Sequence, residues 1–200
     1  MAGSKLILAS GSSVRATLLR QAGVSFDVVD SRLDEDDVKQ RFAASETTAL
    51  ALRLAEEKAL AVSRLPENTN AIAIGADQIL SCETKRFDKP GSMAQARDNL
   101  LFLRGKTHIL HSGVALARNG VIIWGLGEEA KLTMRGFTHE FLDAYLASLG
   151  DKVMKSVGCY QLEGPGIQLF ERIDGDYFTI LGLPLLPLLA ELRRLGVVMP

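Results

Sequence analysis

The sequence predicts an α/β protein whose mixed, twisted sheet is flanked by helices. Two observations predict this fold class. Short apolar runs typical of buried strands alternate with helical patterns through the first half of the chain, and strand-like runs separated by Asn119-Gly120 and by glycines follow. Alternation with helices indicates parallel strands, whereas tight turns indicate antiparallel strands, so both kinds of pairing are expected in one sheet.

The first half is predicted to alternate strands with helices. Apolar runs mark the strands, three- and four-residue spacing of apolar side chains marks the helices, and Gly23 and Gly105 mark two helix ends. The predicted elements are a strand at 6–9, a helix at 13–23, a strand at 26–29, an acidic turn at 34–37, a helix at 46–63, a strand at 71–74 and a Ser92-capped helix ending at 105.

The second half is predicted to be richer in strands. The Asn119-Gly120 pair is a strong hairpin signal, Thr138 is a predicted helix cap, and Asp174-Gly175 is a predicted turn. The predicted elements are strands at 108–117, 121–124 and 130–134, a helix from 138, a strand at 167–173, a last hairpin through 178–181 and a closing helix at 184–195.

Length and composition predict one domain over residues 1–200, with 105–144 as a smaller lobe if the chain forms two. The 200 residues are 47% hydrophobic, which is enough to build a core without disulfides. A net charge of -1 argues against a nucleic acid or an anionic membrane surface as the main partner. Two cysteines, no signal-peptide pattern and no long apolar run predict a cytoplasmic protein.

A candidate phosphate site lies between the first strand and the first helix. The turn Ser10-Gly11-Ser12 leaves helix N–H groups and the positive end of the helix dipole available to an anion. Arg15, one turn into the helix, offers a planar set of donors suited to phosphate oxygens. The alternative is that Ser12 is simply an N-cap and Arg15 a solvated helix residue.

Two carboxylates are candidate ligands of a divalent metal ion. Asp77 follows an apolar strand, where a short side chain is held rigidly, and Glu35 lies in the acidic turn. Magnesium bound to a nucleotide takes one or two protein carboxylates. The alternatives are a solvated charge run for Glu35 and a strand-end turn for Asp77. Lys58 and Lys89 are not distinctive by themselves, because lone lysines are usually solvated.

Other phosphate and nucleophile motifs are absent or out of context. The chain contains no Gly-x-x-x-x-Gly-Lys-Ser/Thr, and Gly125-x-Gly127-x-x-Ala130 is followed by a strand pattern rather than by the helix that a dinucleotide fingerprint needs. A Ser-His-Asp site has little support because no Gly-x-Ser-x-Gly occurs. His108 and His111, three apart in a predicted strand, point to opposite faces.

Taken together, ordered blocks along nearly the whole chain resemble the Maf family of nucleoside triphosphate pyrophosphatases. The blocks are Leu8-Ala9-Ser10-x-Ser12-x-x-Arg15, Asp34-Glu35, Arg53-Leu54-Ala55-x-x-Lys58-Ala59, Gly75-Ala76-Asp77, Lys89-Pro90, Gly105-Lys106-Thr107-His108, Ser112-Gly113-Val114-Ala115-Leu116, Glu163-Gly164-x-Gly166 and Gly182-Leu183-Pro184. The resemblance implies a fold like that of the inosine triphosphate pyrophosphatases, with a central cleft. It also implies hydrolysis of a nucleoside triphosphate to the monophosphate and pyrophosphate.

The resemblance also implies roles for individual residues. Asp77 falls on the family's proton acceptor, and Glu35 with Asp77 on the site of a divalent cation, Mg²⁺ or Mn²⁺. Ser10, Arg15, Glu35, Lys58 and Lys89 fall on family positions implicated in binding phosphate or metal or in catalysis. The turn before the first helix adds Ser12 to the predicted phosphate-binding residues. The positions that tune the choice of base are Val14, Gln78 and Glu163. The resemblance is compatible with a homodimer.

The base-selecting positions favour one branch of the family. Gln78, Glu163 and the run Gly166-Ile167-Gln168-Leu169-Phe170-Glu171-Arg172 look like the branch that acts on 7-methyl-GTP. A carboxylate accepts from guanine donors and favours the positive charge of a methylated guanine. Ser13 and Val14 depart from that branch, which commonly has Pro and Trp there. The alternatives are the dTTP/UTP branch and a non-catalytic nucleotide-binding regulator of cell division.

Overall fold

The computed structural model describes residues 5–199 and confirms the mixed α/β fold. Its strands are β1 (Leu6–Ala9), β2 (Asp27–Val28), β3 (Ile72–Cys82), β4 (Lys85–Phe87), β5 (Thr107–Arg118), β6 (Val121–Met134) and β7 (Phe170–Asp174). Its helices are α1 (Ser13–Gln21), α2 (Glu35–Arg41), α3 (Thr47–Ser63), α4 (Met93–Leu103), α5 (His139–Leu149), α6 (Tyr177–Ile180) and α7 (Leu185–Arg194). Short 3-10 segments cover Pro66–Asn68, Gly150–Lys155 and Pro165–Leu169.

Over the described residues the strands form one seven-stranded sheet in the order β2-β1-β3-β5-β6-β7, with β4 paired to β3. The pairs of β1 with β2 and with β3 are parallel, and the pairs β3-β4 and β6-β7 are antiparallel. The predicted Asn-Gly hairpin is confirmed, because Asn119 and Gly120 both have positive φ, 49° and 77°, between β5 and β6.

The chain divides into two compact units. Over the described residues, the first comprises 5–78, 112–128 and 176–199, and the second comprises 79–111 and 129–175. The segment 105–144 is therefore shared between the units. The core of the first unit packs β1 and β3 against α1 and α7, with Leu8, Leu19, Ile74 and Leu188 fully buried. The second unit contains α4, α5, β4 and β7.

Two predicted breaks are wrong. The strands predicted at 121–124 and 130–134 form the single strand β6, because Gly125 and Gly127 stay extended where α3 approaches: a Cβ there would lie 3.2 Å from Leu52 Cδ1 and 2.8 Å from Thr48 Cγ2. The acidic turn at 34–37 is the start of α2. Asp34 caps this helix by accepting from the Asp37 backbone N–H at 3.1 Å, and acidic side chains suit the first turn.

Two predictions near the C-terminus are also wrong. The hairpin expected through 178–181 is the short helix α6, whose N-cap Asp176 accepts from the backbone N–H groups of Phe178 and Thr179. The strand predicted at 167–173 is a 3-10 turn up to Leu169 and becomes β7 only from Phe170, so its apolar alternation begins too early. Within residues 5–199, no helix has the length and apolar character needed to cross a membrane.

Candidate functional site

Asp77, Lys58 and Glu35 form a charge cluster in the first unit, and the first two of these residues are buried. The Lys58 ammonium on α3 donates to Asp77 Oδ1 on β3 at 2.5 Å and lies 2.7 Å from Glu35 Oε1 at the start of α2. The Lys58 and Asp77 side chains are each only 9% exposed, whereas that of Glu35 is 43% exposed. The Lys58 ammonium therefore contacts both carboxylates that were predicted from the sequence as metal ligands.

A close helix-strand approach places Lys58 beside Asp77. A Cβ added to Gly75 would lie 1.9 Å from Ala55 O and 2.7 Å from Ala59 N, so only glycine allows the α3 backbone to rest on β3 there. Gly113 of β5 has the same role against Ala51, because a Cβ added to Gly113 would lie 2.4 Å from the Ala51 carbonyl oxygen. Lys58 precedes Ala59 and Asp77 lies two residues after Gly75, which brings the two side chains together.

Arg15 is buried and ties three segments of the first unit together. Its Nε donates to Gly182 O at 2.7 Å, and its other donors reach Ser10 Oγ at 3.1 Å and Ala76 O at 2.9 Å. Burial lowers the pKa of the guanidinium, and the negative charges of Asp77 and Glu35 oppose that shift. The solvated-residue interpretation of Arg15 is therefore wrong. Of the three Arg15 side-chain nitrogens, only Nη2 has no hydrogen-bond partner among the described residues.

The turn before α1 is ordered by its own serines. Ser12 is the N-cap of α1 and accepts from the Arg15 backbone N–H at 3.4 Å, so the capping interpretation holds for its side chain. Ser10 is buried and its Oγ also accepts from the Ser12 N–H at 3.3 Å. Val14 is half-buried in the first turn of the helix.

Gln78, which follows Asp77, is held by three acceptors. Its Nε2 donates to Ser112 Oγ at 3.0 Å and to the carbonyl oxygens of Thr179 and Ile180 at 3.1 and 3.0 Å. These carbonyls lie at the end of α6, just before Gly182, whose φ is +86°. The turn 179–182 thus contacts both Arg15 and Gln78.

The first unit contains eight of the ten predicted site residues: Ser10, Ser12, Val14, Arg15, Glu35, Lys58, Asp77 and Gln78. Lys89 and Glu163 belong to the second unit, where both are exposed. Ser112 and Thr179 were not predicted as functional residues, since each lies far along the chain from Gln78. The only signal was the Ser112-Gly113 and Gly182-Leu183-Pro184 blocks.

The carboxylates of Glu35 and Asp77 lie close together, because both contact one Lys58 nitrogen, at 2.7 and 2.5 Å, and they supply oxygen donors. Hard oxygen donors of this kind are those that Mg²⁺ and Mn²⁺ prefer, and nucleotide phosphates and water supply the remaining ligands.

The histidines of β5 contact different partners. His111 Nε2 lies 2.8 Å from Ser81 Oγ and its Nδ1 lies 3.2 Å from Glu129 Oε1, whereas His108 Nε2 lies 2.8 Å from the Tyr160 hydroxyl. This agrees with the opposite faces predicted from their spacing.

Comparison with known proteins decides the family. The family model described as "Maf-like protein" matches residues 5–195, nearly the full chain. The chain belongs to the Maf family. The resemblance seen in the sequence is thus confirmed at the level of the family, over nearly the whole chain.

Named relatives of this Maf protein are enzymes acting on nucleotides. The chain is 50% identical over 192 residues to the 7-methyl-GTP pyrophosphatase of Brucella abortus, covering 95% of this chain and 96% of the relative. It is 46% identical over 195 residues to the protein of that name in Rhizobium meliloti, covering 96% and 97%. It is 50% identical over 196 residues to the nucleoside triphosphate pyrophosphatase of Paramagnetospirillum magneticum, covering 97% and 100%.

Proposed function

We propose that this Maf protein hydrolyses 7-methyl-GTP to 7-methyl-GMP and pyrophosphate, with Asp77 as the general base. A nucleotide pyrophosphatase is the enzyme class named for its full-length relatives, which include both 7-methyl-GTP and unspecified nucleoside triphosphate pyrophosphatases. The preference for the 7-methylguanine nucleobase and the roles of the individual residues are proposals that go beyond this enzyme class. A cytoplasmic location and a homodimer stay predictions.

The observation that carries the mechanism is the Lys58 ammonium held between Asp77 and Glu35. Asp77 Oδ1 is fixed by this contact, while the second carboxylate oxygen remains to accept a proton from water. The water oxygen then forms a bond to the α-phosphorus as the bond to the β-phosphate bridging oxygen breaks. The leaving pyrophosphate carries away the electron pair, and the proton passes to Asp77.

Glu35 and Asp77 would hold the divalent cation. When bound there, the cation neutralises phosphate oxygens and the charge that develops on the leaving group. Lys58 adds a fixed positive charge between the same carboxylates, in a buried setting where charge stabilisation is strong.

The phosphate-binding part of the proposal uses the turn before α1. Arg15 holds Ser10, Ala76 and Gly182 and keeps Nη2 for a phosphate oxygen, and Ser10 still has a hydroxyl proton to donate. Ser12 orders the helix start, whose N–H groups favour an anion. Lys89 of the second unit is proposed to bind phosphate because of its family position and its exposure.

Base selection is assigned to Gln78, Glu163 and Val14. Gln78 offers an amide oxygen, and the exposed carboxylate of Glu163 suits the positive charge and donors of 7-methylguanine. Val14 supplies an aliphatic surface rather than a stacking ring. If pyrimidine triphosphates were the better substrates, the dTTP/UTP branch would be the correct one.

Asp77→Asn tests the mechanism because it preserves size and removes the base. We expect pyrophosphate release from 7-methyl-GTP with Mg²⁺ to fall by about 10²- to 10⁴-fold, with little change in KM. The matched control is Asp143→Asn on α5, which removes a carboxylate from a surface pair with Arg97 of α4. Near-normal turnover by Asp77→Asn would refute the assignment.

A substrate panel tests the base and the reaction class. The panel contains 7-methyl-GTP, dTTP, UTP, 5-methyl-UTP, CTP and ITP, with pyrophosphate and monophosphate measured separately. The proposal predicts the highest kcat/KM for 7-methyl-GTP and equal amounts of the two products. Tight nucleotide binding with no product release at saturating metal would instead support a regulator that does not turn over its ligand.

A further inference from the structure

We infer that Ser112 is a positioning residue for base selection: with the end of α6, it locks the Gln78 amide so that Oε1 faces the nucleobase as a hydrogen-bond acceptor. The inference rests on the proposed function and deepens it. It concerns how the acceptor is held, on residues of the first unit alone.

The orientation of the Gln78 amide follows from the chemistry of its neighbours. The carbonyl oxygens of Thr179 and Ile180 can only accept, and they lie 3.1 and 3.0 Å from Nε2. A flipped amide would set Oε1 against both carbonyls, so Nε2 must point towards α6 and Oε1 away from it. Among residues 5–199, Oε1 has no hydrogen-bond donor.

Ser112 on β5 provides the third acceptor for the Gln78 amide. Its hydroxyl donates to Thr179 O at 2.8 Å, which turns its lone pair towards Gln78 Nε2 at 3.0 Å. The Ser112 side chain is fully buried, so water does not replace the hydroxyl in the folded protein. One side chain therefore joins the amide to the carbonyl that helps to orient it.

The acceptor surface on α6 is itself fixed. Thr179 is fully buried and its hydroxyl donates to Glu128 Oε2 at 2.7 Å, while the Gly182 N–H donates to Thr179 O at 3.0 Å. Gly182 turns the chain with a φ of +86°, and its ideal Cβ position lies 3.5 Å from Gln78 Oε1 and 3.3 Å from Arg15 Nη2. The free acceptor of Gln78 and the free donor of Arg15 thus flank the same residue.

An acceptor that cannot flip selects bases by their N–H groups. Guanine and 7-methylguanine present N–H donors, whereas the unsubstituted purine base has none. The predicted consequence is a preference for guanine-type nucleotides over the nucleotide of purine riboside. Because the base is remote from the reacting phosphate, the preference belongs to binding and is expected in KM rather than in kcat.

The test compares Ser112→Ala with Ser112→Thr, which keeps the hydroxyl, and with Ser63→Ala. Ser63 is a matched control because it is also a buried serine in the first unit, with its hydroxyl bonded to Leu60 O and to the Gly120 N–H. Two quantities are measured for 7-methyl-GTP and purine riboside triphosphate: kcat/KM for pyrophosphate release, and the dissociation constants of their non-hydrolysable α,β-methylene analogues.

We expect Ser112→Ala to reduce the preference for 7-methyl-GTP about fivefold, the size of one lost hydrogen bond, with kcat retained. Ser112→Thr should restore the preference and Ser63→Ala should leave it unchanged. An unchanged ratio in Ser112→Ala, or an equal loss for both nucleotides, would overturn the inference. Absence of pyrophosphate release with a normal binding ratio would refute the proposed function alone. A wild-type protein that binds both analogues equally would refute the inference.

Discussion

At the scale of single residues, the site depends on charges removed from water and compensated by one another. Asp77 and Lys58 are almost fully covered, so each needs the other to offset the cost of burial. Arg15 has the same need and meets it with backbone carbonyls as well as with a side chain. Function and stability therefore draw on the same contacts here.

Lys58→Met is expected to lower the free energy of unfolding by about 2 to 3 kcal/mol at pH 7, because it leaves the Asp77 carboxylate buried without a cation. This expected loss in the free energy of unfolding is smaller than the loss on breaking a fully buried ion pair, because the Glu35 side chain is 43% exposed. Urea unfolding measures it. An unchanged urea midpoint at pH 7 would contradict this expectation.

At the scale of elements, packing distance decides where the site residues lie. The axis of α3 approaches β3 closely enough that Gly75 has room for no side-chain atom, and Gly113 repeats this on β5. A helix at that distance can present Lys58 directly to a strand residue. The position of Lys58 beside Asp77 therefore depends on glycines that have no functional group of their own.

Gly75→Ala is expected to destabilise the protein by at least about 3 kcal/mol and to reduce activity, since the added methyl overlaps the α3 backbone at Ala55 and Ala59. Gly136→Ala is the control, because nothing lies within 4 Å of its Cβ position and its φ is not positive. Thermal unfolding and pyrophosphate release measure both effects. Equal melting temperatures for the two variants would show that α3 moves away without cost.

The sequence predicted those elements whose signals are local. Helix α3 and the Asn119-Gly120 hairpin were predicted because apolar spacing and turn residues act within a few positions. Strand β6 was predicted as two strands, because the approach of α3 to Gly125 and Gly127 is not visible in the sequence. Helix α6 was predicted as a hairpin, because Asp174-Gly175 is a turn signal just before the cap Asp176. The site residues were predicted because they lie in sequence blocks that resemble the Maf family. Ser112 and Thr179 were not predicted, because they act on Gln78 only through tertiary contacts.

At the scale of the whole molecule, each of the two units buries polar groups of its own. His108 of the second unit is fully buried, and its Nδ1 has no hydrogen-bond partner among the described residues. Its Nε2 contacts the Tyr160 hydroxyl, and both rings pack on Phe170. Such a group stabilises the fold only while it stays neutral.

Acid should therefore destabilise the protein through His108. Burial lowers the pKa of His108 from its ordinary 6.5 to about 4 in the folded state. A lowered pKa means that unfolding takes up a proton, so the contribution is complete above pH 6.5 and is lost as pH falls to about 4, a loss of about 3 kcal/mol. Urea unfolding between pH 7 and pH 4 measures this loss.

The double variant His108→Phe/Tyr160→Phe isolates the contribution, because it removes both members of the hydrogen-bonded pair and leaves no orphaned partner. Its unfolding free energy should fall less steeply from pH 6.5 to pH 4 than that of the wild type. His139→Gln, which removes an exposed histidine of the same unit, should keep the wild-type slope. If the double variant and the wild type lose stability in parallel over this range, the acid sensitivity arises elsewhere and His108 is not its source.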